Sequence, residues 1–205
     1  NGFAKYWEIP ASDNHGLNGK WKEGPGIPFF EKVFDKINSK IILAEDLGEA
    51  YKDAKKIRDV FKIPGMKILQ FSFGNGDPYH EMDQNTVLYT GTHDNSTCIG
   101  WFDELLNDKE LNSEKNSINL VDEVIKYIDY KPSDLIHWNM ILYAMSSKAS
   151  YCIIPLQDIL GLNDNSRMNI PGTVGNNWLW RFKKETLTEA IKEKLKLITK
   201  DVNRI

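Results

Sequence analysis

Short apolar segments alternate with amphipathic helices along this chain of 205 residues, and this alternation constrains the fold more than any other feature. Residues 41–44 (Ile-Ile-Leu-Ala) are wholly apolar, as strands buried on both faces of a parallel sheet are. Residues 67–73, 87–90 and 152–154 also have strand character, and helical or loop sequence separates each from the next. The pattern predicts βαβ units with right-handed crossovers in an α/β fold.

The helices are predicted from apolar residues spaced three and four apart. The first begins at Pro28, where proline is tolerated, and its apolar face continues to Ile37. Further helices are predicted at 50–61, 120–128, 135–145 and 185–202. The glycine-rich residues 1–27 are predicted to form a loop, and residues 107–117 are a polar stretch without an assigned element.

The position of polar residues decides between an open doubly wound sheet and a (β/α)8 barrel. No Gly-x-Gly-x-x-Gly sequence follows a strand, so a dinucleotide-binding sheet lacks its main signature. Glu45 directly follows the first predicted strand, and Asp94 follows the third. Carboxylates at the C-terminal ends of several parallel strands are typical of a barrel active site, so the sequence favours the barrel.

Net charge, the length of apolar runs and cysteine spacing argue against nucleic-acid binding, a membrane span and a metal site. The 26 Lys and Arg residues face 29 Asp and Glu residues, for a net charge of −3, so no nucleic-acid partner is expected. No apolar run approaches the roughly 20 residues of a transmembrane helix, so no membrane partner is expected either. Cys98 and Cys152 lack the spacing of metal ligands, and no secretion signal is visible, which favours free thiols in a reducing cytoplasm.

Glu45 is the first candidate catalytic residue. A carboxylate at the end of an apolar strand can be partly desolvated, as a general acid near neutral pH requires. The alternative is an ordinary helix-capping or salt-bridged glutamate. The neighbouring Asp46 points elsewhere on a strand and is assigned a structural role.

A second candidate lies in residues 90–95, which are more polar than a plain turn requires. His93 and Asp94 have the chemistry to bind sugar hydroxyls, to share a proton or to hold a metal ion. Metal binding has weak support, because only one histidine lies close and no second ligand is suitably spaced.

A polar rim is predicted from Gln157 and Asp158 together with residues 167–173. Arg167 and Arg181 are either functional polar residues beside the site or structural ion-pair partners, and both interpretations stay open. The tryptophans at positions 178 and 180 are predicted to be core residues, because most aromatic side chains fill the core.

Six motifs in one order resemble the C-terminal half of a 4-alpha-glucanotransferase of the amylomaltase type, in glycoside hydrolase family seventy-seven. They are Ala-Lys-Tyr-Trp-Glu-Ile-Pro-Ala at 4–11, Leu-Ala-Glu-Asp-Leu-Gly at 43–48, Pro-Gly-Met-Lys-Ile-Leu-Gln-Phe at 64–71, Tyr-Thr-Gly-Thr-His-Asp-Asn at 89–95, Ile-Pro-Leu-Gln-Asp at 154–158, and Arg-Met-Asn to Asn-Trp-Leu-Trp-Arg over 167–181. They cover nearly the whole chain, which makes the resemblance far more specific than any single motif.

The resemblance implies that residues 1–205 form a single half-barrel, strands five to eight of a TIM (β/α)8 barrel of the α-amylase-like type. It implies transfer of α-1,4-glucan segments between maltooligosaccharides by a retaining double displacement, in starch, glycogen or maltodextrin metabolism. By motif match, Glu45 is the general acid/base, Asp94 stabilises the transition state and His93 binds sugar hydroxyls. No metal or organic cofactor is implied.

One part of the family pattern does not occur in the chain. Family members carry a nucleophilic Asp in an Arg-Ile-Asp-His-Phe motif, which belongs immediately before Asn1. We therefore expect a fragment that is inactive alone and that self-associates through open sheet edges. Two alternatives stay open: another α-amylase-like glucan hydrolase or debranching enzyme, and a non-catalytic glucan-binding unit.

Overall fold

The computed structural model describes residues 1–37, 42–45, 47–48, 51–74, 82–111 and 115–205, with the backbone alone for 109–111 and 115–119. Helices and strands alternate through much of the chain, which confirms the α/β class. The chain divides into two compact units: unit 1 comprises Asn1–Met66 and Asn85–Val87, and unit 2 comprises Lys67–Gln84 and Leu88–Ile205. A single half-barrel over 1–205 stays a prediction.

Unit 1 begins with an antiparallel hairpin. Strand β1 (Lys5–Glu8) pairs with strand β2 (Lys20–Glu23), and Trp7 lies opposite Trp21. The prediction of a loop over residues 1–27 was wrong here. Each strand has only four residues, too few for a clear alternation of apolar and polar side chains, so the glycines of the turn dominated the pattern.

Two helices and a chain of phenylalanines form the core of unit 1. Helix α1 (Gly26–Phe34) begins two residues before the predicted Pro28, and helix α2 (Tyr51–Phe61) ends before Pro64 as predicted. The buried residues are Ala4, Phe30, Ile57 and Ile63. Ring centroids 5.0–5.8 Å apart link the phenylalanines at positions 3, 29, 30, 34 and 61.

Residues 42–45 do not form the buried strand that the sequence predicts, and residue 41 lies outside the described residues. The Ala44 N–H donates to the Pro64 carbonyl at 3.0 Å, and Leu43 is about half exposed. Proline has no N–H with which to continue a strand ladder, which is one reason why regular pairing does not develop beside it.

Three strands form a sheet in the order β3 (Gly65–Ile68), β4 (Thr86–Tyr89), β5 (Tyr151–Ile153). The strand predicted over 67–73 is shorter than expected, because the chain turns into a 3-10 helix at Leu69–Ser72. The strand predicted over 152–154 is not buried on both faces. Tyr151 is 59% exposed and Ile153 is 40% exposed, because β5 is at the edge of the described sheet.

Unit 2 contains most of the helices. They are α3 (Cys98–Leu111), α4 (Lys115–Tyr127), α5 (Ile136–Met145), α6 (Leu156–Ile159) and α7 (Glu189–Asp201), with 3-10 turns at Asp164–Ser166 and Lys184–Thr186. Helix α3 is absent from the sequence prediction, since its second half lies in the polar stretch 107–117. None of the helices in the described part of the chain combines the length and apolarity that a membrane crossing requires.

Side chains from α3, α4 and α5 share the main core of unit 2 with residues of the strands. Leu88, Phe102, Val124 and Met140 are among its buried members. A second cluster joins Trp138 and neighbouring residues of α5 to the apolar face of α7. This packing supports the loop between β4 and α3, in which two of the predicted site residues lie.

Candidate active site

Residues 91–97 connect β4 to α3 and carry both His93 and Asp94. The two side chains lie together, with His93 Nε2 3.3 Å from Asp94 Oδ1, and each is about half exposed. The Thr92 N–H and hydroxyl donate to Asn95 Oδ1 at 2.9 and 2.7 Å, which closes a tight turn. Part of the polarity that marks this segment in the sequence therefore serves the turn itself.

Asp94 is held by a segment more than 70 residues further along the chain. Asn169 Nδ2 donates to Asp94 Oδ1 at 2.6 Å, and Arg167 Nη2 donates to the Asp94 carbonyl oxygen at 2.7 Å. The Asn169 N–H donates to the His93 carbonyl oxygen at 3.1 Å. The carboxylate and the backbone of Asp94 are thus fixed by the same segment, for which the sequence predicts only a polar rim.

Trp178 packs against His93, with the two ring centroids 5.0 Å apart. Its side chain is 53% exposed, so the prediction that it is a core residue was wrong, and Trp180 is only partly buried. The Trp178 φ of +64° is unusual for a bulky residue, and its N–H donates to the Met168 carbonyl oxygen at 2.6 Å. Strained backbone of this kind often occurs at functional sites.

Arg167 and Arg181 differ in their contacts. Arg167 Nη1 lies 3.5 Å from Asp164 Oδ2, so Arg167 takes part in a structural ion pair, one of the two roles that the sequence left open. Arg181 Nη1 instead donates to the carbonyl oxygens of Trp178 and Trp180, at 3.0 and 2.7 Å. Arg181 therefore stabilises the turn that presents Trp178.

A small cavity of about 180 Å³ lies between the loop 91–97 and residues of the segment 167–178. His93, Arg167, Met168 and Trp178 are among the residues that line it. Pockets that enclose a whole small ligand are usually about 300–1,000 Å³, so this cavity has room for only part of a larger ligand.

Asp158, predicted as part of a polar rim, is almost completely buried, at 2% exposure, and lines the small cavity together with Gln157 and Arg167. Its Oδ2 accepts from the Thr90 hydroxyl at 2.7 Å and its Oδ1 accepts from the Cys98 N–H at 2.8 Å. Burial raises the pKa of the Asp158 carboxyl, and these hydrogen bonds oppose the increase. Gln157 is buried too, and its side-chain amide donates to the Ser166 carbonyl oxygen.

A second carboxylate lies at the start of α3. Asp164 Oδ1 accepts from the Thr97 N–H at 2.8 Å, where the helix N-terminus favours a negative charge. A Cβ at Gly100 would collide with the Asp164 carboxylate, so this close approach requires glycine. Asp164 therefore links the end of the loop 91–97 to the segment that holds Asp94.

The cysteines are not candidate nucleophiles. Both are free, and burial raises the pKa of the Cys152 thiol to about 11. Burial also raises the pKa of the Cys98 thiol. A thiol reacts as its thiolate, so neither group is activated at neutral pH.

Glu45 belongs to unit 1 and lies in the irregular segment 42–45. Its side chain is exposed, so the burial expected from the apolar residues before it is not found. It lines an open cleft of about 680 Å³ whose other walls are mostly apolar, including Phe3, Phe29 and Ile42. Asp46 lies outside the described residues.

Among the described residues, no group of three or more His, Cys, Asp or Glu side chains is placed to hold a metal ion. The chemistry that these residues offer is hydrogen bonding, charge stabilisation and proton transfer by carboxylates and a histidine.

A family model described as 4-alpha-glucanotransferase, glycoside hydrolase family seventy-seven, matches residues 1–188. The chain belongs to this family. A 4-alpha-glucanotransferase of Synechocystis sp. is 38% identical over 204 residues, which are 97% of this chain and 38% of the relative. A chloroplastic/amyloplastic 4-alpha-glucanotransferase of Solanum tuberosum is 40% identical over 189 residues, 90% of this chain and 31% of the relative.

The structural comparison agrees with this assignment. An amylomaltase from Streptococcus agalactiae in complex with acarbose is similar with a TM-score of 0.86 and 34% identity, over 98% of this chain and 40% of that chain. The family seventy-seven resemblance is thereby confirmed. The chain spans between 31% and 40% of the length of these three relatives.

Proposed function

We propose that this chain supplies the general acid/base and a transition-state-stabilising carboxylate of a 4-alpha-glucanotransferase acting on α-1,4-glucans. Glu45 is assigned the first role, Asp94 the second, and His93 binds sugar hydroxyls. Membership of family seventy-seven supports the activity, and the match of Glu45, His93 and Asp94 to the family motifs supports their roles.

The observation that carries the proposal is that hydrogen bonds from Asn169 and Arg167 hold Asp94 in place. A carboxylate that stabilises developing positive charge must already be oriented when the charge appears, because reorientation during the reaction would cost free energy. Asn169 and Arg167 hold the side chain and the backbone of Asp94, and about half of the side chain is still exposed. These contacts suit a group that binds sugar hydroxyls more tightly as the sugar approaches an oxocarbenium ion.

In the first half of the proposed reaction, a nucleophilic Asp attacks the anomeric carbon and the glycosidic C–O bond breaks. Glu45 donates its proton to the departing oxygen, and Asp94 stabilises the positive charge on the sugar ring. The products are a glucan with a free hydroxyl and a covalent glycosyl-enzyme. The nucleophile is assigned to sequence outside these 205 residues, with about 5–5.5 Å between the two catalytic carboxyl groups.

In the second half, the Glu45 carboxylate removes the proton from a hydroxyl of the acceptor glucan. That oxygen attacks the anomeric carbon, the bond to the nucleophilic Asp breaks, and the α-configuration is restored. Transfer requires that an acceptor sugar, and not water, occupies the site at this step. The exposed Trp178 ring beside His93 offers an apolar surface on which a sugar could be placed.

The same proposal assigns the chain to strands five to eight of an α-amylase-like TIM barrel. Consecutive strands β3, β4 and β5 are neighbours in the sheet, as they are in such a barrel. The similarity to the Streptococcus agalactiae amylomaltase supports the assignment. No metal or organic cofactor takes part in the proposed steps, and the cytoplasm is the proposed location.

Disproportionation of maltotriose tests the function. A protein that contains these residues together with the Arg-Ile-Asp-His-Phe motif is expected to convert maltotriose to glucose and longer glucans. Glucose and maltose without longer products would indicate a hydrolase, and binding without turnover would indicate a glucan-binding unit. Residues 1–205 alone are expected to give no transfer, because none of them matches the nucleophile motif.

A further inference from the structure

The buried Asp158 has no part in the proposed reaction steps, yet its carboxylate makes two contacts that bear on the site. Oδ2 accepts from the hydroxyl of Thr90, 68 positions earlier, and Oδ1 accepts from the N–H of Cys98, 60 positions earlier. Thr90 and Cys98 are themselves fully buried. All three groups lie in unit 2, so the carboxylate is part of the same compact body as the loop.

The two hydrogen-bond donors lie on either side of the loop 91–97. Thr90 is the residue directly after β4, and Cys98 is the first residue of α3. They are therefore the two ends of the loop 91–97, which presents His93 and Asp94. One carboxylate thus holds both the point where the chain leaves the sheet and the point where it enters the helix.

Asp158 is also placed to resist movement. It lies in α6, directly after Gln157, whose side-chain amide donates to the Ser166 carbonyl oxygen at 3.1 Å. Ser166 directly precedes Arg167, so α6 contacts both the ends of the loop and the segment that holds Asp94. Hydrogen bonds to a buried carboxylate are stronger than those between neutral groups.

We propose that Asp158 is a positioning residue that sets the place of Asp94 by closing both ends of the loop 91–97. The inference rests on the proposed function, since Asp94 is its target. A displacement of about 1 Å at a reacting group can cost on the order of a hundredfold in rate. Loosening the ends of the loop should therefore slow the chemical step more than it weakens glucan binding.

Thr90→Val tests this in the complete protein, because valine has nearly the same shape as threonine and lacks the donor hydroxyl. We expect kcat to fall on the order of tenfold to a hundredfold, with KM changed by less than about threefold. Hydrogen–deuterium exchange of the amides in 91–97 should become faster. Thr90→Ser, which keeps the hydroxyl, should restore both readouts to near the parent values.

Thr86→Val is the matched control, since Thr86 is a buried threonine at the start of β4, four residues before Thr90. It should leave both kcat and the exchange of 91–97 close to the parent values. Asp158→Asn should lower kcat as Thr90→Val does. If Asp158→Asn does not fold, the comparison of Thr90→Val with Thr90→Ser still tests the inference. Unchanged kcat and unchanged exchange in Thr90→Val would overturn the inference, as would equal losses in Thr90→Ser.

The two hypotheses fail in different ways. If the parent protein performs no transfer, the proposed function is wrong, and the exchange measurement alone decides whether Asp158 holds the loop. If the parent is active and Thr90→Val lowers only the melting temperature, the contact is merely structural and the positioning role is wrong.

Discussion

Glu45 and Asp94, the two carboxylates proposed to act in one reaction, are supported in very different ways. Asp94 accepts hydrogen bonds from Asn169 and Arg167, and its loop is tied at both ends to Asp158. Glu45 is exposed and lies in an irregular segment, beside Ala44, whose N–H donates to the Pro64 carbonyl oxygen. Unit 2 therefore contains a closely braced site, and unit 1 contains an open one.

This difference fits the two proposed roles. A group that stabilises charge works best when it is fixed in advance, so hydrogen bonds from several directions are useful. A general acid/base first gives a proton to the departing oxygen and then takes one from the attacking hydroxyl. Its carboxyl group must therefore be accessible to both oxygens. Substitutions at the two residues should therefore alter different kinetic constants.

The largest effect is expected for Glu45→Gln, which keeps the shape of the side chain but removes the transferable proton. Glucan transfer should fall about 10²–10⁴-fold while maltooligosaccharides still bind. A glycosyl fluoride donor needs less protonation and should partly restore the first step. Initial rates with maltotriose and with the fluoride measure both effects.

Glu31→Gln provides the control, because Glu31 is exposed on α1 in the same unit and lies outside the proposed machinery. Its rates should stay within about twofold of the parent, as for most surface substitutions. Turnover of maltotriose by Glu45→Gln close to that of the parent would show that the acid/base assignment is wrong.

Asp94→Asn should lower kcat about 10²-fold and change KM much less. Its contacts to sugar hydroxyls are expected to strengthen in the transition state, so their loss acts on the rate. Steady-state kinetics on maltotriose separate the two constants. A variant with intact kcat and a raised KM would make Asp94 an ordinary binding residue, and Asp129→Asn, at an exposed site in the same unit, is the control.

Asn169→Ala removes the hydrogen bond to the Asp94 carboxylate and leaves Asp94 itself unchanged. It therefore tests whether Asp94 must be held in position. A hydrogen bond to a charged group contributes about 1.5–3 kcal/mol, so we expect a loss of at least about tenfold in kcat. Asn165→Ala is the control, since Asn165 is an exposed asparagine in the nearby 3-10 turn. Equal activity of the two variants would show that Asp94 does not depend on Asn169.

The smallest effect concerns the open cleft of unit 1, and it is an increase in the sedimenting mass caused by self-association. We expect residues 1–205 alone to self-associate at micromolar concentration, because exposed apolar surface favours association. Phe29→Glu, in the cleft wall, should reduce association, whereas Val60→Glu, at an exposed site of α2 away from the lining, should not. Sedimentation velocity measures both, and a clean monomer of the parent chain would contradict the expectation.

Local periodicity predicted the elements whose apolar faces are regular. Helices α2, α5 and α7 and strand β4 lie close to the expected positions, because their spacing reflects which face is buried. Helix α3 was missed, although Thr97 followed by Trp101, Phe102 and Leu105 at helical spacing was an available signal. The β1–β2 hairpin was missed because four-residue strands have too little pattern.

The site was predictable in its residue types and not in its contacts. The sequence singled out His93 and Asp94, and the structure brings their side chains together. It assigned Trp178 to the core, whereas the structure leaves this side chain about half exposed, and it gave no sign that Asp158 is buried. Burial of a single polar or aromatic side chain depends on the neighbours that fold around it, and these are distant in sequence.

The sequence by itself determined the family, the alternation of helices and strands, and the identity of the candidate carboxylates, since each of these is written in contiguous motifs. Only the tertiary structure decided that Asn169 holds Asp94 across 75 positions and that Asp158 closes both ends of the loop. The physical reason is that periodicity reports which side of a segment avoids water, whereas a hydrogen bond between distant segments requires that packing bring two particular atoms within about 3 Å.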